Sequence, residues 1–458
     1  MYDLNNKFNT FYRKHVVLPK EKKNDLFQKK NLNISRLKKG LEEYNEEHGT
    51  DYQLIDHVVQ GSVAMSTVVQ NEDNDYDIDV AIIFDKDKLP EGTRATKNII
   101  VDALKRKCTG FKKEPEAKTN CVRIEYSEGY HIDFAIYRRY KDDNENYVYE
   151  HGGSEWRRRD PWAITKWFLN RNKENDYKLR EVVRLLKMFV KSRDHWVNMP
   201  GGLVLSVLAE EQCQSIYERM DERFYYTAKA IRDRLNYSKE VYNPTDPTQS
   251  LILTKKDEEK LENLRKRLDE NLQKLDVLFN SDCTEEEALE AWEQFFNHHY
   301  WTEQKEKAKE KNEVAKSYYF FNEADETWFY DDTEEYIENY FPLDLKYKVE
   351  LDCKVKKNGK FVDWLSDMRK KKIPLLPNRE LYFYASTDAP KPYQVYWKVR
   401  NRGEEAKKRN CLRGQIIHTD ELIQYEESCF KGDHYVECYI VKNGICVARG
   451  RIDVPIKA

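Results

Sequence analysis

The sequence predicts an α+β fold in two parts, a front half of short strands and long helices and a back part of antiparallel strands. Three observations carry that reading. Two apolar strands, at residues 76–84 and 131–137, alternate with period two. Stretches at 24–47, 177–194, 255–280 and 284–313 repeat their apolar residues every three or four positions. Beyond Pro342 the chain turns to short alternating segments, with Lys442-Asn443-Gly444 between two of them as a hairpin signal.

The two early strands carry the chemistry. In YDIDVAIIF, Asp77 and Asp79 share one face while Tyr76, Ile78, Val80 and Ile82 share the other. In HIDFAIY, Ile132, Phe134 and Ile136 alternate with Asp133, Ala135 and Tyr137. Ala81 and Ala135 leave room beside the acids. An acid inside a core strand costs several kcal/mol unless it is paired or binds a cation, and a divalent metal meets that need. Magnesium takes oxygen ligands, commonly one or two carboxylates per ion plus substrate phosphates. Three carboxylates suffice for two ions about 3.5 to 4 Å apart, which activate a hydroxyl and hold the leaving phosphate. Gly61 and Ser62 follow a strand at 54–60 and open a short helical turn, where free amides and a hydroxyl can grip a triphosphate. The chemistry implied is metal-dependent nucleotidyl transfer. The plainer alternative is a common turn followed by a strand entry, with Asp75, Asp77 and Asp79 on a solvated face.

Along the chain, residues 24–47 predict one helix ended by Gly49, with Gly40 as its weak point. Residues 93–107 predict a second, capped by Thr93, and 120–126 with 130–137 a strand pair turning through Glu128-Gly129. Residues 151–193 are the most basic stretch. Their helix turns Leu179, Val182, Val183, Leu186, Phe189 and Val190 inward, while Arg180, Arg184, Lys187 and Lys191 recur at helical spacing. Either one of these cations faces a cleft or all form a solvated stripe. Trp156, Trp162 and Trp167 are expected to pack around Pro161. The helix at 199–211 enters through Gly201-Gly202 and contains Ser206, which either touches phosphate or bonds its own backbone. Capping boxes at Thr254/Asp257 and Thr284/Glu287 open two charged helices, and Leu261, Leu264, Leu268, Leu272, Leu275 and Leu278 make a stripe that packs them against the lobe. Residues 317–341 are aromatic and acidic. The expected division is 1–313, with a palm at about 50–140 and a helical lobe at about 155–313, a linker at 314–341, and a β-rich domain at 342–458.

Gly61-Ser62, the alternate acids Asp77 and Asp79 and the later Asp133 resemble the signature of polymerase-beta-like nucleotidyltransferases, although the spacer at 67–75 is longer than in their shortest members. WKVRNRGEEA, LRGQI and HYVECYIVKNG resemble the C-terminal sensor domain found with bacterial SMODS-type enzymes. Together the two halves resemble bacterial cGAS-like (SMODS, CD-NTase) nucleotidyltransferases. That resemblance implies synthesis of cyclic di- or oligonucleotide second messengers from nucleoside triphosphates, with Mg2+ or Mn2+, in anti-phage signalling of the CBASS type through a downstream effector protein. It implies that Asp77, Asp79 and Asp133 hold the metals, and that Gln60, Gly61, Ser62 and Lys187, with Ser206, hold nucleotide. Related synthases carry a serine and an aromatic residue where Gly201-Gly202 stand here, so base choice is unreadable. In the sensor domain it implies a nucleotide ligand. Trp397, Arg400, Asn401 and Arg413 are its candidate ligand residues, an aromatic ring with guanidinium forks and flexible backbone, although strand alternation turns Trp397 with Val395 to one face, which favours Arg400, Asn401 and Arg413. Two other classes remain: a template-independent nucleotide adder acting on RNA or protein, and a catalytically idle nucleotide-binding module.

Composition sets the outer bounds. With 458 residues, 40% hydrophobic and 13% aromatic, the chain can bury real cores in two to four domains. A net charge of −3 gives no basic field, which disfavours nucleic-acid polymers as partners. Nine cysteines without a CxxC pair indicate neither a zinc site nor a disulfide framework and fit a reducing cytosol. Neither a signal core nor an apolar run of membrane length is present, so no membrane association is expected.

Overall fold

Seven strands of the front half hydrogen-bond into one sheet, and its order brings two distant acidic segments side by side. The computed structural model describes residues 1–70, 76–317, 334–409 and 411–457, and the chain separates between residues 328 and 329 into two units. Asp75, with the loop at 71–75, and residues 318–333 of the anticipated linker lie outside the described residues.

In the first unit α1 (Asn5–Phe11) runs through a π-helical turn (Tyr12–Val16) into α2 (Lys20–His48). Then come β1 (Asp56–Val59), the one-turn α3 (Gly61–Ala64), β2 (Tyr76–Asp85) and α4 (Thr93–Lys107). β3 (Glu116–Ala117), β4 (Val122–Glu125), β5 (Tyr130–Lys141), β6 (Tyr147–Gly152) and β7 (Trp156–Arg158) complete the sheet. Its order is β1-β2-β5-β4-β3, with β6 beside β5 and β7 beside β6. β2 and β5 are parallel, which needs a crossover, and α4 with β3 and β4 supplies it. α2 ends at Gly49 in the left-handed region, φ 64°, as expected, but starts four residues early, at Lys20. Gly40 is where α2 meets α4: a Cβ there would sit 1.8 Å from the Ala103 carbonyl oxygen. α4 has the expected bounds but Gly92 is its N-cap, while the Thr93 hydroxyl donates to the Ser154 carbonyl.

The lobe follows: α5 (Ala163–Glu174), α6 (Leu179–Val190), α7 (Gly202–Gln212), α8 (Met220–Tyr237), a hairpin of β8 (Tyr242–Asn243) and β9 (Asp246–Ser250), α9 (Lys255–Leu272), α10 (Glu285–Phe296) and α11 (His299–Ser317). Both capping boxes form, and all six stripe leucines are buried. The single helix expected at 284–313 is instead two, because Asn297 turns into the left-handed region at φ 48° and its side chain donates to the Ser192 carbonyl. The corner lets Trp292, Phe296 and Trp301 close around Phe8 and Phe11 of α1, so the first residues of the chain belong to the lobe core. The aromatic payload of that cluster is what anchors an otherwise polar N-terminal segment.

The second unit is a sandwich of two four-stranded antiparallel sheets. β10 (Val349–Lys357), β11 (Lys360–Trp364), β12 (Arg379–Thr387) and β15 (Ile423–Ser428) form one, with α12 (Leu365–Lys370) after β11. β13 (Gln394–Arg400), β14 (Arg413–His418), β16 (Gly432–Lys442) and β17 (Ile445–Ile456) form the other, with α13 (Glu404–Lys408) after β13. The expected hairpin joins β16 to β17, with Asn443 and Gly444 at φ 52° and 72°. The two sheets share a core of Cys353, Phe383, Trp397, Val436 and Ile440 among others. Among the described residues no helix is long and apolar enough to cross a membrane.

Candidate active site

Strand register assembles the acids. Asp79 of β2 pairs with Asp133 of β5, and Asp77 with His131. Asp133 also faces Arg123 of β4 across an antiparallel pair. Arg123, Asp133 and Asp79 therefore form one row across three strands. Sequence reasoning passed over Arg123, although its alternation in VRIE puts it on the acid face. Its guanidinium forks onto Asp133, Nε to Oδ1 at 2.8 Å and Nη2 to Oδ2 at 2.7 Å. That pair is the strong bidentate kind, and it holds Arg123 well above its ordinary pKa. Asp77 is exposed, with His131 Nδ1 3.3 Å from its Oδ1.

Asp79 sits at the centre of the row. Burial first, then the charges of Asp77 and Asp133, push its carboxyl up to about 6. Such a group is short of positive charge. The donors fit a divalent ion: all are hard carboxylate oxygens on adjacent strands, and Gly61 packs against Asp79, where a Cβ would sit 2.0 Å from Oδ2. Gly61 also has φ 62°, so the position excludes a side chain on both counts. Each Asp133 oxygen accepts one bond from Arg123 and keeps a second lone pair with which to join the set.

The other expected residues fall into two groups. Gln60 is the N-cap of α3, and its backbone N–H donates to the Asp79 carbonyl at 2.8 Å. Its side-chain amide is spent on the Pro161 carbonyl at 2.6 Å. Ser62 is half-buried in the same turn. Lys187 of α6 is buried and reaches the loop after α3, its Nζ donating to Thr67 Oγ1 at 2.9 Å and to the Thr67 carbonyl at 3.2 Å. Burial, with Lys191 and Arg184 nearby, pulls its pKa down to about 7, against the pull of Asp79. Gly202 gives this lysine room, since a Cβ there would lie 3.3 Å from Cε and Nζ. The solvated stripe does not form: Arg180 is buried with its Nε on the Met65 carbonyl, and Arg184 is buried against the Tyr12 hydroxyl. Ser206 is a correction: it is fully buried and donates to the Gly202 carbonyl at 2.8 Å, bonding its own helix as mid-helix serines do.

In the sandwich the four expected ligand residues separate. Trp397 is a core residue, 1% exposed, with Nε1 donating to the Glu421 carbonyl, so it offers no stacking surface. Arg400 is buried and bonds the Arg413 carbonyl at 2.6 Å. Asn401 and Arg413 line a cavity of 410 Å3 with Arg409, His434 and Tyr435. Arg413 forms an ion pair with Glu426 on the cavity wall.

Comparison with known proteins agrees with this geometry. Residues 56–137 match the family model of the cyclic GMP-AMP synthase DncV-like nucleotidyltransferase domain, and residues 331–457 match that of the adenylyl/guanylyl and SMODS C-terminal sensor domain. A cyclic GMP-AMP synthase of Escherichia albertii is 23% identical over 416 residues, 87% of this chain and 84% of its own length. The Vibrio cholerae cyclic AMP-GMP synthase DncV, solved with a linear intermediate, superposes with a TM-score of 0.51 at 18% identity, covering 65% of this chain and 96% of that one. Another crystal structure of that synthase gives 0.50 at 19% identity over the same shares. By these matches the chain carries a DncV-like nucleotidyltransferase domain at residues 56–137 and a SMODS-type C-terminal sensor domain at residues 331–457.

Proposed function

We propose that the front half joins nucleoside triphosphates into a cyclic di- or oligonucleotide second messenger. The observation that carries this is the pairing of Asp79 with Asp133 directly against Gly61, in a domain matched by the DncV-like model. Divalent ions, Mg2+ or Mn2+ in its place, would supply Lewis acidity at the attacking and leaving oxygens. Asp77, Asp79 and Asp133 would hold them, with Asp79, raised to about 6, offering its carboxylate form. Gly61 and Ser62 receive the donor triphosphate through backbone amides and hydroxyl, and Lys187 turns from Thr67 to it, regaining full charge beside the anion.

The C-terminal unit is read as the sensor of a nucleotide, either the product or another cellular ligand, held at the cavity lined by Asn401, Arg409 and Arg413. The setting is cytoplasmic anti-phage signalling of the CBASS type through a downstream effector protein. The test incubates purified chain with all four labelled nucleoside triphosphates and Mg2+ or Mn2+, treats with phosphatase and identifies resistant products by mass spectrometry. A cyclic product is expected. Labelled tails on added RNA or protein, or no turnover with either metal, would overturn the reading.

A further inference from the structure

Three imidazoles converge in the helical lobe, on elements separate from the acidic strands. His15 lies in the π-helical turn after α1, and His298 and His299 form the corner between α10 and α11. Each offers a ring nitrogen, and the three nitrogens lie within 4.8 Å of one another. Ring centroids are 5.1 Å apart for His15 and His298, 5.4 Å for His15 and His299 and 4.2 Å for His298 and His299. Phe11 and Tyr300 flank the group, at 5.2 Å from His298 and 4.9 Å from His15.

Packing alone does not call for three histidines. The neighbouring lobe core is filled with Phe and Trp, which bury more apolar area without a polar edge to satisfy.

We propose that His15, His298 and His299 form a site for one zinc-type divalent ion, with water in the fourth position. Tetrahedral zinc with nitrogen at about 2.0–2.1 Å places its ligands about 3.4 Å apart, a closure that side-chain rotation can make from the spacing here. Magnesium, which prefers oxygen, is excluded by the same donor set. One contact is given up: the Tyr300 amide donates to His298 Nδ1 at 3.1 Å. The ion is a structural staple rather than a catalytic one, tying the N-terminal turn to the far end of the lobe. The tied turn matters because the Lys14 and Val17 carbonyls both accept from Gln70 Nε2, in the loop that follows α3.

The test uses full-length chain without a histidine tag, stripped with chelator. Zn2+ calorimetry should show one site of micromolar or tighter affinity, unaffected by millimolar Mg2+. Co2+ should give a tetrahedral spectrum without a thiolate charge-transfer band, and Zn2+ should raise the melting temperature. His299 is exposed, so His299→Ala tests the site without threatening the fold, and His15→Gln tests the opposite wall. Each should weaken zinc binding at least tenfold and remove the melting shift. Absence of stoichiometric zinc binding, a thiolate band, or equal binding by His299→Ala would leave the three rings as a packing cluster and overturn the proposal.

Discussion

Both units place carboxylates in the middle of strands, and they balance them in opposite ways. In the sandwich, Lys398 is 2% exposed and lies 2.9 Å from Glu437 and 3.2 Å from Glu334. Burial alone would lower its pKa, but Glu437, Tyr435 and Glu334 more than offset this and hold it above its ordinary value. Glu334 stays below its ordinary value despite burial, because Lys398, the Tyr435 hydroxyl and Arg400 surround it. In the palm, three acids share one arginine, which is committed to Asp133. At Asp79 burial and the repulsion of Asp77 and Asp133 outweigh the pull of Arg123 and Lys187, and its carboxyl rises to about 6. A network that contains its own counter-charge specifies a fold, whereas one that lacks it leaves the charge for a ligand to complete.

The largest effect should come from the open network. Asp77→Asn with Asp79→Asn is expected to lower product formation by roughly a thousandfold or more, since positioned charge is worth several kcal/mol in the transition state. Circular dichroism should be unchanged. The closed network should respond in stability instead. Lys398→Met removes the ammonium that faces both Glu437 and Glu334, and denaturant melts should show a loss of about 3–5 kcal/mol. Adding Glu437→Leu should restore much of it. If Lys398→Met were neutral, the contrast between the two networks would collapse. A smaller effect is expected at Lys187: Lys187→Ala should weaken binding of a non-hydrolysable triphosphate about tenfold, or ~1.4 kcal/mol, by calorimetry. Unchanged affinity would leave Lys187 as a strut for the Thr67 loop.

The acidic site was legible because strand period is a strong signal. Alternation alone placed Asp77, Asp79 and Asp133 on faces opposite Ile78, Val80 and Phe134. Their register was not legible, because the parallel pairing of β2 with β5 is set by the crossover through α4, not by local pattern. Arg123 was missed for the same reason, since its role exists only once β4 lies beside β5. The break at Asn297 carries no Gly or Pro, so the helical period runs through it unmarked. Phe8 and Phe11 read as two aromatics in a polar segment until the α10–α11 corner supplies their partners. β11 and β15 escaped notice as edge strands, short in one case and polar-alternating in the other.

Asp79 is held against its own charge, and an incoming cation would relieve it. Its folded pKa, about 6, lies above the ordinary 3.8, so the folded state binds the proton more tightly. Metal-free stability should therefore fall as pH rises from about 4 to 6, by on the order of 3 kcal/mol from this group. The direct measurement is denaturant stability of wild type and Asp79→Asn at pH 4 and pH 7.5 in chelator. The variant should match wild type within about 1 kcal/mol at pH 4 and exceed it at pH 7.5 while making no product. A variant less stable than wild type at pH 7.5 would mean that the carboxylate is already paired within the chain and needs no cation.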